Sequence, residues 1–422
     1  MFGLVDCNNF FVSCERAVDS SLEGRAVVVL SNNDGCVIAR SNEAKQLGIK
    51  MGQPAFEIRD MIAHGDVLAL SGNHILYRQT SMRIHDIFRL YAPRTIDYSV
   101  DESFLDMEGI PDEALEEIGI EIHRRCREQE RIPVTVGFAP SKTLAKMATE
   151  LGKKQFRNVV TLFDSDERKA VMDSMPIREL WGIGRRLAKK LYMEGVYTIG
   201  DFADKELIWV RSRLGINGER SWRELHGEPC IELSHLARRV QESISETRTF
   251  ATDIGDFDYL RSRIAMFCSH VSRRLRAMEA ECEEVSVFLS SNRFHTERGY
   301  HSPAAAVRLH APTNDTAEIT TAAIALLQRI HDPRYRYKRA GVILHRISRT
   351  MPQAPSLFDD IEHTRKEKEK ASRLMKAIDN LNPKSGNRII RLATELNMPQ
   401  QDMPNIRLND GYSSSFGPAK EI

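Results

Sequence analysis

Residues 98–107 read YSVDESFLDM and set two carboxylates, Asp101 and Glu102, side by side in an apolar stretch of strand character. Burying one charge in a sheet is costly, and burying two together costs more unless a cation meets them. Neighbouring side chains of a straight strand point to opposite faces, so these two converge only where the ladder bends. The pattern predicts two short strands, about 95–100 and 103–108, with the acidic pair at the bend between them. A short apolar strand at 2–7, FGLVDC, carries Asp6 near its end, and Asp6 is the natural third member of the group. Three carboxylates around one point make an oxygen-rich site suited to a hard dication, Mg²⁺ in particular. The Asp101–Glu102 pair by itself suits a polar hairpin turn equally well; Asp6 on a neighbouring strand favours the metal.

The surrounding elements fall into a recognisable order. Ile84, Ile87, Phe88 and Tyr91 give a helical period over 80–92, and Leu115, Ile118, Ile122 and Cys126 mark a second helix. PVTVGF at 133–138 is a further strand. With the polar, glycine-containing stretch 22–75 set aside as an insert, the order is β-α-β-β-α-β. That is a ferredoxin-like split βαβ unit, interrupted after its first strand. A helix follows over 139–154, with Ser141 as cap and Leu144, Met147, Ala148 and Leu151 as its buried stripe. Lys142, Lys146 and Lys153 share another face, because offsets of 4 and 11 residues return to nearly the same angle. A solvated lysine face is the commoner meaning of such a stripe. Beside a carboxylate–Mg²⁺ centre it suits a triphosphate, each ammonium acting as a point charge on phosphate.

Residues 166–232 read as short helices around WGIGRRLAKKL at 181–191. There Gly182 and Gly184 allow a tight turn into a helix whose first amides are free, and Arg185 follows directly. Such a turn suits an anion, and on nucleic acid it is a sequence-blind phosphate clamp; an ordinary helix-to-helix turn is the plainer alternative. A linker at about 229–245 leads to a second β-α-β-β-α-β series over 246–348, mildly basic and unrelated in sequence to the first. The tail from 351 begins polar and irregular, then has a charged helix around 361–380.

Bulk properties narrow the partners. A chain of 422 residues suggests roughly three domains. The net charge of +1 hides basic clusters at 184–190, 272–276 and 334–339, the last containing Arg334, Arg336 and Lys338. One such cluster reads as a solvated face; three together point to a polyanion. The seven cysteines form no C-x-x-C pair, which argues against a zinc site or a disulfide framework and fits a reducing cytoplasm. No apolar run is long enough to span a bilayer, so no membrane association is expected.

LVDCNNFFVSCE, YSVDESFLD, SKTLAKMA and WGIGRRLAKKL resemble the signature stretches of Y-family DNA polymerases. VVVLSNNDGCVIARSNEAKQLGIKMG narrows the resemblance to the UmuC type, which provides the catalytic subunit of bacterial DNA polymerase V. It covers about 1–350 in unbroken order and implies an α+β, multidomain right-hand polymerase. The implied domains are a ferredoxin-like palm (1–21 and 76–165), inserted fingers (22–75), a small helical thumb (166–232), a βαββαβ little finger (242–348) and a tail (349–422). It implies template-directed DNA synthesis in translesion synthesis and SOS mutagenesis. Asp6 and Asp101 would bridge two Mg²⁺ ions, Glu102 would complete the catalytic metal, and the Cys7 carbonyl would touch the nucleotide metal. Phe11 stands at the family's steric gate. Phe10 and nearby amides, with Asn42, Lys45 and Lys153, would hold the dNTP. Gly182, Gly184, Arg185, Arg334, Arg336 and Lys338 would meet primer–template DNA.

Three departures matter. The UmuC type usually carries tyrosine where Phe11 stands. Asn42 and Lys45 replace the broader family's tyrosine and arginine, so a bidentate fork on phosphate is lost. In the tail, Leu357 and Phe358 match a sliding-clamp peptide, but Gln353 is one residue too far away and Pro355 replaces an aliphatic residue. A processed UmuD dimer and RecA are further partners that the resemblance implies. Nucleotide cyclases also hold carboxylate-bound metals on a βαββαβ sheet, but the basic second module and the glycine turn count against a cyclase. The intact carboxylates count against a non-catalytic DNA-binding scaffold.

Overall fold

A computed structural model describes residues 1–31, 34–232, 241–294, 299–349, 370, 373–382, 390 and 393–395. These fall into two units, one holding the described residues through 232 and the other those from 241 on.

The first unit begins with β1 (Phe2–Cys7) and α1 (Phe10–Val18). The insert follows: β2 (Val27–Leu30), β3 (Val37–Arg40), α2 (Asn42–Gln46), α3 (Arg59–His64) and β4 (Leu68–Ser71). Its strands form a small sheet of their own in the order β3-β2-β4. The chain returns through α4 (His74–Phe88), β5 (Arg94–Asp97), β6 (Glu102–Asp106), α5 (Asp112–Glu130), β7 (Val134–Ala139), α6 (Lys142–Gln155) and β8 (Val159–Thr161). The resulting sheet runs β5-β6-β1-β7-β8. Its first four strands have the ferredoxin-like order expected from the sequence, and β8 adds an edge strand that the sequence pattern did not reveal. Helix α4 starts at His74, earlier than the periodicity suggested, because the Asn73 side chain caps it by accepting from the Leu76 amide; Tyr91 lies beyond its end. Four helical segments complete the unit: α7 (Ser165–Ser174), α8 (Arg185–Met193), α9 (Ile199–Ala203) and α10 (Leu207–Leu225), the last broken by a kink at Gly215.

Strand β1 is buried on both faces, and its alternation decides what each face meets. Val5 and Cys7 join the core of α4 and α5, with Phe88, Leu115 and Ile122. Leu4 joins Phe104 of β6 and Leu144 and Ala148 of α6. Asp6 has the parity of Leu4, so it lies on the α6 side of the sheet.

The second unit comprises β9 (Ser243–Ile254), α11 (Phe257–Ala277), β10 (Ala280–Ser291), β11 (Ala304–Thr313), α12 (Thr316–Ile330) and β12 (Tyr337–Arg349). The β-α-β-β-α-β order holds, but the sheet is wired differently, as β11-β10-β12-β9 with antiparallel neighbours. Both helices bury their apolar stripes against this sheet in one core. Residues 373–382 are helical, and Asp379 forms a two-pronged ion pair with Arg276 of α11 at 2.7 and 3.0 Å.

Gly137 of β7 sets the distance between the first unit's sheet and α6. A Cβ there would lie 2.5 Å from the Ala145 carbonyl oxygen and 2.6 Å from the Thr149 amide, both backbone atoms that cannot swing aside. Gly137→Ala should destabilise the unit by about 1–3 kcal/mol, the usual cost of overpacking. A thermal melt unchanged from wild type would show that α6 is not held this closely.

Candidate active site

The register of β1 against β6 builds the site. Asp6 pairs directly with Glu102, so both side chains project from the same face. Like charges directly opposite are destabilising, and here α6 supplies two ammonium groups. Lys153 reaches Asp6 at 2.6 Å and Glu150 at 2.9 Å, while Lys146 bonds to Glu102. Ser141 opens α6 by accepting from the Leu144 amide, as its position in the sequence predicted. The three lysines share a face as expected but not a partner: Lys142 lies over the Phe2 ring at 4.0 Å, at the opposite end of β1.

Burial dominates the titration of the pair and pushes Asp6 up to about 8; Lys153 pulls against it, and the Glu102 carboxylate adds to the rise. For Glu102, burial works upward too, but the hydrogen bond from Asp6 and the Lys146 ammonium outweigh it and hold the group below its ordinary value. Lys153 keeps its own proton firmly: burial opposes it, and the Asp6 and Glu150 carboxylates prevail.

Asp101 sits at the bend before β6. Its backbone carbonyl accepts from the Cys7 amide at 2.9 Å, and its carboxylate accepts from the Ser99 hydroxyl at 2.5 Å. It lines the same cavity as Asp6 and Glu102. Among the described residues, no group of three or more His, Cys, Asp or Glu side chains closes on one point tightly enough to hold a metal; lysines occupy that role at Asp6 and Glu102. The donor set nevertheless fits a hard dication, being all carboxylate oxygen. The Cys7 thiol is no candidate ligand, since it is buried in the opposite core and burial holds it well above its ordinary value.

The cavity has a volume of about 640 Å³, in the range of small-molecule sites. The carboxylates line one part, and Arg40, Lys45, Lys153 and Arg157 also line it. Phe10 and Phe11 contribute aromatic wall. Phe10 is almost fully buried, whereas Phe11 is half-buried and stacks on Tyr77 at 4.3 Å. The Tyr77 hydroxyl donates to buried Glu15 at 2.6 Å. Helix α1 opens at Asn9 in left-handed backbone, with no side chain capping it, so its first amides lack a helical acceptor. Asn42 accepts from Asn9 at 3.0 Å and from Lys45 at 3.3 Å. Burial, then Arg40 and Lys153, lowers the Lys45 pKa. The sequence reading missed Arg40, Arg157 and Tyr77.

The remaining expected residues are dispersed. Gly182 has φ of 88°, and Gly184 caps α8, which begins at Arg185. In the second unit, Arg334 pairs with Asp332 at 2.6 Å, Lys338 donates to the Ala251 carbonyl at 2.9 Å, and Arg336 packs beside Gly255. Leu357 and Phe358 lie outside the described residues.

Comparison with known proteins adds the family. Residues 5–150 match the impB/mucB/samB family, 241–357 its C-terminal domain, and 165–196 the IMS family HHH motif. The chain is 34% identical to Protein UmuC of Salmonella typhimurium over 99% of this chain and 98% of that one. It is 35% identical to Protein ImpB of Salmonella typhimurium, over 99% and 98%. To DNA polymerase IV of Moorella thermoacetica it is 30% identical, over 93% and 95%. Among solved structures, the Y-family DNA polymerase chimera Dbh-Dpo4(243-245)-Dbh shares the fold, with a TM-score of 0.69 at 20% identity over 83% of this chain and 100% of that one.

A dication takes these carboxylates in their ionised form. Because burial raises the Asp6 carboxyl above the ordinary carboxylate range, Mg²⁺ affinity should rise with pH and binding should release protons. Calorimetry in two buffers of different ionisation enthalpy measures this. Affinity independent of pH, with no proton released, would place the ion elsewhere.

Proposed function

We propose that this chain, which belongs to the impB/mucB/samB family of UmuC-type Y-family DNA polymerases, joins deoxyribonucleotides to a primer 3′-end in the cavity beside Asp6 and Glu102. It is a DNA-directed DNA polymerase, of the type that acts in translesion synthesis and SOS mutagenesis. The observation that carries the choice of site is the Asp6–Glu102 register, met by Lys146 and Lys153 in a cavity that Arg40, Lys45 and Arg157 also line.

The family depends on divalent metal. We assign two Mg²⁺ ions to Asp6, Asp101, Glu102 and the Cys7 carbonyl. Held there, they would supply Lewis acidity that lowers the pKa of a primer 3′-hydroxyl and neutralises charge on the triphosphate and pyrophosphate. The chain's own groups then have separate tasks. Lys153, with Lys45, Arg40 and Arg157, meets the triphosphate by point charges and N–H donors. The open amides of α1 at Phe10 and Phe11 add a helix N-terminus to the same anion. Asn42 holds Lys45 in place where the wider family has a second donor. The Phe11 ring, backed by Tyr77, excludes a ribose 2′-hydroxyl by size.

The remaining assignments follow the family's plan. Palm (1–21 and 76–165), fingers (22–75), thumb (166–232) and little finger (242–348) organise the chain. Gly182, Gly184 and Arg185 with Arg334, Arg336 and Lys338 grip the DNA backbone without reading sequence. The ion pair of Arg334 and the carbonyl bond of Lys338 must loosen for that contact, which leaves Arg336 the readiest of the three. A processed UmuD dimer, RecA and, through Leu357 and Phe358, the sliding clamp are the proposed partners, in the cytoplasm. No described helix is long and apolar enough to cross a membrane.

Primer extension tests the function. With primer–template, dNTPs and Mg²⁺, alone and with the UmuD and RecA partners, the protein should extend across an abasic site; extension on no template under either condition would overturn the proposal. Phe11→Ala should raise ribonucleotide incorporation relative to deoxyribonucleotide in a protein that still melts cooperatively, because the 2′-OH is what separates the two substrates. If selectivity is unchanged in a folded mutant, the gate lies elsewhere, and Phe10 is the next residue to test.

A further inference from the structure

Glu224, the penultimate residue of α10, is fully buried. Its carboxylate accepts three backbone bonds. One oxygen takes the Thr143 amide at 2.8 Å, in the first turn of α6. The other takes the amides of Cys230 and Ile231, at 2.9 and 3.0 Å. Its own main-chain carbonyl accepts from the Ser141 hydroxyl at 2.6 Å, and Ser141 is the N-cap of α6. One residue thus ties three things together: the end of α10, the start of the helix that carries Lys146 and Lys153, and the last residues described before the second unit.

The chemistry of this contact is demanding. A buried carboxylate is tolerated only when its oxygens are satisfied, and here the donors are amides of a helix start and of the irregular segment at 230–231. The negative charge also stands at the positive end of the α6 dipole. The Ser141 and Thr143 contacts constrain α6 at its first turn, and α6 is one continuous helix from there to Lys153.

We propose that Glu224 is a positioning residue for the polymerase centre. It sets α6 relative to α10 and the 230–231 segment, and through α6 it sets the two ammonium groups at the carboxylates. The proposal rests on Lys153 belonging to that centre. It also makes the grip of residues 166–232 on a ligand mechanically continuous with the lysines, with no side chain of that segment entering the cavity.

Glu224→Gln keeps the shape but has one acceptor oxygen, so its amide must face a donor on one side, either Thr143 or the 230–231 pair. The test is a double-mutant cycle with Lys153→Met, read by single-nucleotide insertion, alongside DNA affinity and a thermal melt. Coupled sites give non-additive effects, so Glu224→Gln should cost about tenfold in insertion on its own but less than about twofold when added to Lys153→Met. DNA affinity should stay near wild type and the melt should stay cooperative. An equal loss in both backgrounds would overturn the route through α6, and a folded Glu224→Gln with full activity would overturn the role altogether. If Lys153→Met alone has no effect, the fault lies with the assignment of the centre itself, and this proposal falls with it. Should Glu224→Gln not fold, Ser141→Ala decides by the same cycle, since it cuts one of the two ties between Glu224 and α6 while leaving the carboxylate and its Thr143 bond intact; a loss that is additive with Lys153→Met would overturn the proposal.

Discussion

Two carboxylates, Asp6 and Glu102, stand opposite each other across neighbouring antiparallel strands, and much of the first unit is arranged to make that tolerable. Strand parity sends both to one face. A helix must therefore cover that face with cations, and α6 does so with Lys146 and Lys153. Helix α6 in turn needs a glycine beneath it at Gly137 and a satisfied first turn, which Ser141 and Glu224 provide. Burial raises the Asp6 carboxyl above the ordinary carboxylate range. The two ammonium groups balance the acidic pair, which a hard dication would do more completely.

The cavity carries both signs of charge. Carboxylates line one part, and four cationic side chains contribute to the same wall. Lys153 joins the two groups through its ion pair with Asp6. Phe11 stacks on a tyrosine whose hydroxyl is anchored on a buried glutamate, which limits how far its ring can move.

Much of this was legible in the sequence, for reasons tied to particular residues. Asp6 and Glu102 were found because strand alternation and a short apolar run leave few places for a carboxylate to point. Lys146 and Lys153 followed from helical angle, while Lys142, on the same face, was misgrouped because angle says nothing about distance along the axis. β8 was missed because three residues are too few to show a period. The second unit's strand order was not legible, since β-α-β-β-α-β is compatible with more than one wiring. Arg40, Arg157 and Tyr77 carry no motif of their own; their roles arise from chain segments that meet only in the fold. Glu224 looks like any acidic residue of an amphipathic helix until its burial is seen.

The account stands or falls on whether these carboxylates perform the chemistry. Single-turnover primer extension by Glu102→Ala and by Asp101→Ala, with DNA affinity measured on the same preparations, tests that most directly. Loss of a group that stabilises charge in the transition state costs orders of magnitude in rate, so extension should fall by about 10²-fold or more for each variant while DNA affinity stays near wild type. Wild-type-like extension by the folded Glu102→Ala protein would contradict the account, because no other described carboxylate pairs with Asp6 across the strands.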